Sequence, residues 1–382
     1  MGKNIVVCCD GTWNDPTTKT NIHTLYKELI DKEDEQCKTY IEGLGTAGNL
    51  FFQPFIDGSM ATGLDDKVKE AYKYIVNNYQ PGDNIWLFGF SRGAYTVRSV
   101  AGLIRNCGIV KFNENDKIIN QIIDLAYNIY RDKSTNSNLD GKVTNGFKKG
   151  LSHPADSKNP PIKFLGLFDT VGAHGLPGFT PGKGFEYLAF YDKVVPNVVK
   201  HACQALAAHE RRTFFKPCRI ESNKNKTVNI KETWFPGVHS EVGGGASENN
   251  RITKASMLWM LENIEEVKGL LMKNDMEYYR KRFDPSSGAV LSRSFFSPFS
   301  LLEVFFNEDR VIEIDEVSKK AKMLRRDFLY KDGDWHIFSD RNSLKALYAS
   351  KSYEDLRNYM KKKCIKLHNS VKYEGPETES DK

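Results

Sequence analysis

Apolar residues along this chain fall into two alternating rhythms. Short unbroken runs such as Ile85 to Phe88 and Phe164 to Phe168 alternate with longer stretches where apolar positions recur every three or four residues, as at Val97, Val100, Ala101 and Ile104. The runs suit strands covered on both faces, and their alternation with helical periods is the signature of a doubly wound, mostly parallel sheet with helices on both faces. Strands are predicted at Asn4–Cys9, Cys37–Glu42, Asn84–Phe88, Ile162–Phe168 and Lys231–Phe235. Helices are predicted at Asn21–Asp31, Asp65–Asn78, Arg92–Asn106, Asp116–Arg131, Asn197–His209 and Thr253–Leu271.

The interruptions mark the organisation. Ser134–Pro161 is rich in Asn, Ser, Lys, Gly and Pro and reads as an exposed excursion. Gly172–Pro196, dense in glycine, proline and aromatics, suits a lid-like loop. Residues 1–268 are therefore read as one α/β domain, 269–373 as a mainly helical extension packing on it, and 374–382 as a disordered polar tail. The cluster Phe295, Phe296, Phe299, Leu301, Leu302, Phe305 and Phe306 reads as packing surface, with peripheral contact to a membrane surface as the alternative; Trp335, His336 and Phe338 read as core. No internal repeat is visible.

Composition narrows the class. A chain of 382 residues with 40% hydrophobic and 12% aromatic content can bury a large core. A net charge of +6, from 55 basic against 49 acidic residues, gives no reason to expect a nucleic-acid partner, and Lys361–Lys363 reads as a solvated helix face. No apolar run is long enough to span a bilayer. The amino terminus enters a strand after Lys3 without a secretory signal, and Val6 stands where a myristoylation motif requires a hydroxyl residue, so a cytoplasmic protein is expected, or one exported by a signal-less secretion system. The seven scattered cysteines read as reduced, mostly buried thiols, with no metal or cofactor implied.

The candidate chemistry starts at Gly89-Phe90-Ser91-Arg92-Gly93. A strand runs into this G-x-S-x-G and a helix follows, the layout of a nucleophile elbow that lifts a serine off the carboxyl edge of a sheet. A serine needs a base and an acid. The strand Phe164 to Phe168 ends at Asp169, and Trp234-Phe235 leads through a turn to His239 in a glycine-rich loop. The order Ser91, Asp169, His239 is that of α/β-hydrolases: His239 would take the Ser91 proton, and Asp169 would hold the imidazole tautomer. Each alone also fits a structural residue, Asp169 as a turn cap and His239 as a hydrogen-bonded loop residue. An oxyanion hole is expected from the Arg92 N–H and from the loop Asp10-Gly11-Thr12, where Gly11 lets the backbone approach and the Thr12 N–H points inward.

Two rival motifs fare less well. Asp10-Gly11-Thr12 matches the second half of the haloacid-dehalogenase phosphatase motif, but its nucleophilic aspartate would fall on Cys8. Gly43-Leu44-Gly45-Thr46-Ala47-Gly48 spells G-x-G-x-x-G yet opens no helix, so it reads as a crevice-lining loop rather than a dinucleotide site.

The strings CDGTWN (9–14), TNIHTL (20–25), GLGT (43–46), GFSRGA (89–94), FDTVGA (168–173) and WFPGVHSEVGGG (234–245) resemble the uncharacterised α/β-hydrolase domain family, which includes phospholipase effectors of bacterial type VI secretion systems. The resemblance implies an α/β-hydrolase fold, a triad on Ser91, Asp169 and His239, and hydrolysis of lipid or phospholipid acyl esters. Asp169 follows the strand directly after the elbow strand, one earlier than standard α/β-hydrolases place the acid, which makes Glu241 the nearest substitute. A non-catalytic hydrolase-like binding or scaffold protein is the reading from another class; the phosphatase is a third.

Overall fold

Parallel strands form the centre of the computed structural model. It describes residues 2–45 except 13, 59–111, 118–172 except 133, 136, 138–139 and 155–158, 194–283 except 208–209, 211–214, 216, 222–226, 236–237 and 246–250, and six short strands beyond. In chain order the main elements are β1 (Asn4–Cys9), α1 (Asn21–Glu28), β2 (Gln36–Ile41), α2 (Ser59–Asn78), β3 (Asn84–Phe90), α3 (Arg92–Cys107), α4 (Ile119–Arg131), α5 (Lys142–Leu151), β4 (Ile162–Phe168), β5 (Val199–Ala207), β6 (Asn229–Phe235), α6 (His239–Gly243), α7 (Arg251–Val267) and α8 (Met276–Arg282). Then come β7 (Val311–Glu313), β8 (Lys320–Lys322), β9 (Phe328–Lys331), β10 (Asp334–Ile337), β11 (Lys366–Leu367) and β12 (Val371–Tyr373).

The sheet order is β11-β6-β5-β4-β3-β1-β2, with every neighbouring pair parallel. The chain moves outward from β1 to β2, then crosses back to β3 on the other side of β1. The loops leaving the carboxyl ends of β1 and β3 diverge at that switch, which opens the crevice where such sheets bind ligands.

Side-chain alternation along each strand divides the core in two. Val6, Cys8, Trp86, Phe88, Phe164 and Phe168 face α1, α7 and α8. Ile5, Val7, Ile85, Leu87, Leu165 and Leu167 face α2, α3 and α4. Strands so enclosed are apolar over most of their length, which is why β1, β3 and β4 carry runs of consecutive apolar residues in the sequence.

Three expectations are corrected. Asn197–His209, read as a helix, is β5, a strand inserted between β4 and β6. The excursion Ser134–Pro161 contains α5. The glycine-rich loop around His239 opens as α6. In the extension read as mainly helical, α8 is the only described helix and six short strands follow it, with β11 pairing on β6. The aromatic cluster at 295–306, most of the lid-like loop, Cys364 and the tail lie outside the described residues. Among the described residues no helix is long and apolar enough to cross a membrane.

Candidate active site

The elbow is built from close backbone contacts. Ser91 sits between β3 and α3 at φ 57°, ψ −121°, a conformation that costs a non-glycine residue of order 1–3 kcal/mol and persists only when its surroundings hold it. They do so tightly: a Cβ at Gly93 would stand 2.1 Å from the Cys9 carbonyl oxygen, and one at Gly89 would stand 2.5 Å from the Ala94 Cα. The Ser91 N–H donates to the Phe168 carbonyl at 3.0 Å, extending the β3–β4 ladder into the turn.

Asp169 continues the same edge. Its N–H donates to the Ala205 carbonyl at 2.7 Å, and its φ of 41° bends the chain away from β4. The fully buried carboxylate is held at both oxygens: Oδ1 accepts from the Ala207 N–H at 2.9 Å, and Oδ2 meets His239 Nδ1 at 2.6 Å. The imidazole is itself buried, with Phe90 tilted against it at 4.6 Å between centroids and Phe215 edge-on at 4.7 Å. Phe90 is the residue before Ser91, so the ring that packs the histidine belongs to the elbow strand. A Cβ at Gly243 would fall 2.0 Å from the Phe90 ring, so this close fit depends on the glycine following Val242.

The loop carrying His239 is fixed from three sides. Glu241, the substitute acid in the sequence reading, accepts from the Val238 N–H at 2.8 Å and so caps its own helix. Asn21 at the start of α1 donates to the Val242 carbonyl at 3.0 Å, and Ser256 of α7 donates to the same oxygen at 2.6 Å. Glu210, which sequence reasoning missed, accepts from the His239 N–H at 3.1 Å.

Across the switch, Gly11 comes so close to the elbow that a Cβ there would stand 3.0 Å from the Ser91 Cβ. Thr12 is buried, with a hydroxyl that has no hydrogen-bond partner among the described residues. Asp10 shapes this loop: it accepts from the Gly11 N–H at 2.8 Å, from the Tyr40 hydroxyl at 2.7 Å and from the Thr20 hydroxyl. Those bonds are the physical use of the CDGTWN and TNIHTL strings. Arg92, Thr12 and Gly93 also line a small cleft together with Leu44 and Lys67. Cys8, where a phosphatase would carry its aspartate, is fully buried in the core.

Burial pushes the Asp10 carboxyl up from 3.8 to about 6, against the pull of its three hydrogen-bond donors. The folded state therefore holds this proton more tightly than the unfolded chain, so the contribution to stability is full below about pH 4 and is lost as pH rises through about 6. The expected loss is at most about 3 kcal/mol. Denaturant unfolding across that window should show the decline in wild type and a flatter profile in Asp10→Asn.

Among the described residues no group of His, Cys, Asp and Glu has the arrangement to hold a metal ion. The sequence model of the type VI secretion system Tle1-like phospholipase effector catalytic domain matches residues 3–263. Uncharacterized protein YEL023C of Saccharomyces cerevisiae is 30% identical over 240 residues, 56% of this chain and 32% of that protein, so the chain spans about a third of the curated relative's length. Similar solved structures include the Tle1 effector bound to the VgrG spike of the type 6 secretion system, 21% identical with a TM-score of 0.34 over 64% of this chain and 51% of that one. Another is an uncharacterized protein from Pseudomonas aeruginosa, 17% identical with a TM-score of 0.40 over 74% of this chain and 48% of that one. A third is a putative cell surface hydrolase from Lactobacillus plantarum WCFS1, 9% identical with a TM-score of 0.34 over 74% of this chain and 96% of that one. The family match runs through the elbow, Asp169 and His239 and covers well over half of the sequence: the chain belongs to the Tle1-like catalytic domains of type VI secretion phospholipase effectors.

Proposed function

We propose that this chain is a serine hydrolase of carboxylic esters, with lipid or phospholipid acyl esters as its substrate class. One observation carries the reading: the buried His239–Asp169 pair, 2.6 Å apart, packs on the residue preceding a serine held in a strained strand-to-helix turn. With Nδ1 donating to Asp169, the neutral imidazole keeps its lone pair on Nε2, the nitrogen that acts as base. Ser91 Oγ attacks the ester carbonyl as its proton passes to Nε2. The resulting oxyanion is met by the Arg92 and Thr12 N–H groups. The alcohol leaves with the proton from Nε2, and water, deprotonated by the same nitrogen, releases the acid and regenerates Ser91. Lipid enters through the family, whose description is of phospholipase effectors, and export without a cleaved signal belongs to the same proposal.

A fluorophosphonate probe tests it. Intact mass should show one adduct on wild type and none on Ser91→Ala, and wild type should then release fatty acid from phosphatidylcholine vesicles. Folded wild-type protein that takes no adduct would replace this reading with that of a hydrolase-like binding or scaffold protein. Headgroup release without fatty acid would overturn the acyl-ester assignment.

A further inference from the structure

Glu210 is fully buried and stands three residues past the end of β5, one strand beyond the one that ends at Asp169. Its Oε2 accepts the His239 N–H at 3.1 Å while Asp169 Oδ2 meets Nδ1 of the same residue at 2.6 Å. Two carboxylates from neighbouring strand ends thus converge on one histidine. Glu241 shows the contrast, because its carboxylate caps the Val238 N–H within its own helix. Two uncharged rings, Phe90 and Phe215, pack directly on the imidazole, and apolar surroundings of that kind screen a nearby charge poorly.

We propose that Glu210 is a positioning residue and second carboxylate of the site: it holds the His239 backbone while Asp169 holds the ring, and its charge adds to the stabilisation of the imidazolium formed during catalysis. The backbone N and Nδ1 of a histidine lie close together, so a carboxylate on the first is already beside the ring. This inference rests on the serine-hydrolase reading for its use in turnover, but not for its effect on the imidazole.

The test separates charge from geometry. Glu210→Gln keeps an oxygen for the His239 N–H and removes the charge. With a p-nitrophenyl ester, it should lower kcat about 10-fold at unchanged KM, and at least about 100-fold when made in an Asp169→Asn background, where the carboxylate on the ring is already gone. The same factor in both backgrounds, or no effect, overturns the proposal. NMR titration of the His239 imidazole in Ser91→Ala protein reads the charge without turnover: Glu210→Gln should lower the imidazole pKa by about one unit, and an unmoved titration overturns the proposal. If wild type cleaves no ester, the hydrolase reading fails while the titration still decides Glu210. If Glu210→Gln does not fold, Glu210→Asp, which draws the charge back by one methylene, gives the same readouts with smaller shifts in the same direction.

Discussion

His239→Ala is expected to lower kcat on an acyl ester by about 10⁶-fold, close to the loss from removing Ser91 itself, because nucleophile and base work as one unit and either deletion leaves only binding and the oxyanion donors. The substitution also empties a slot between Phe90 and Phe215, which adds a stability loss of about 2–4 kcal/mol by analogy with other large-to-small core changes. Saturating initial rates on folded protein, verified by circular dichroism and a melt, separate the two effects. Retention of activity within about 10-fold of wild type would remove His239 from the mechanism.

Asp169→Asn is expected to cost about 10⁴-fold in kcat. The carboxylate has two jobs at once: Oδ1 accepts the Ala207 N–H at 2.9 Å, and Oδ2 faces His239 Nδ1 at 2.6 Å. An amide has one acceptor and one donor end. If its oxygen serves Ala207, its NH₂ meets Nδ1, which must then carry the lone pair, and the proton moves to Nε2 where the base is needed. If the amide flips, two N–H groups confront each other in the core. The first arrangement removes the base and the second is penalised by the facing donors, and a fall of less than about 10-fold would move the acid role to another carboxylate.

The strands β1, β3 and β4 were legible because each is enclosed by helices and carries a run of consecutive apolar residues, and the triad candidates were legible because all three stand just past strand ends. What was lost hangs on β5. Its sequence, VKHACQALA, is rich in alanine and poor in branched residues, so local propensity reads helix; burial between β4 and β6 made it a strand. That misreading also hid Glu210, which falls beside a supposed helix end rather than at the carboxyl edge of the sheet. α5 was missed for a related reason: Gly146 and Gly150 weaken its helical signal, and both face open space. His239 was found as a loop residue although it opens α6, since a five-residue helix is too short to leave a period.

The central place of β1 has a consequence for how the protein is made. Asn4 pairs with Gln36 on one side and with Asn84 on the other, so β1 completes its pairing only after β3 has followed it out of the ribosome. At roughly 5–20 residues per second, the intervening synthesis lasts roughly 4–16 s. For that time an apolar strand with two thiols has an unclaimed edge. A nascent or truncated chain that stops short of β3 is therefore a natural client for chaperones, and a seed for aggregation where they are scarce.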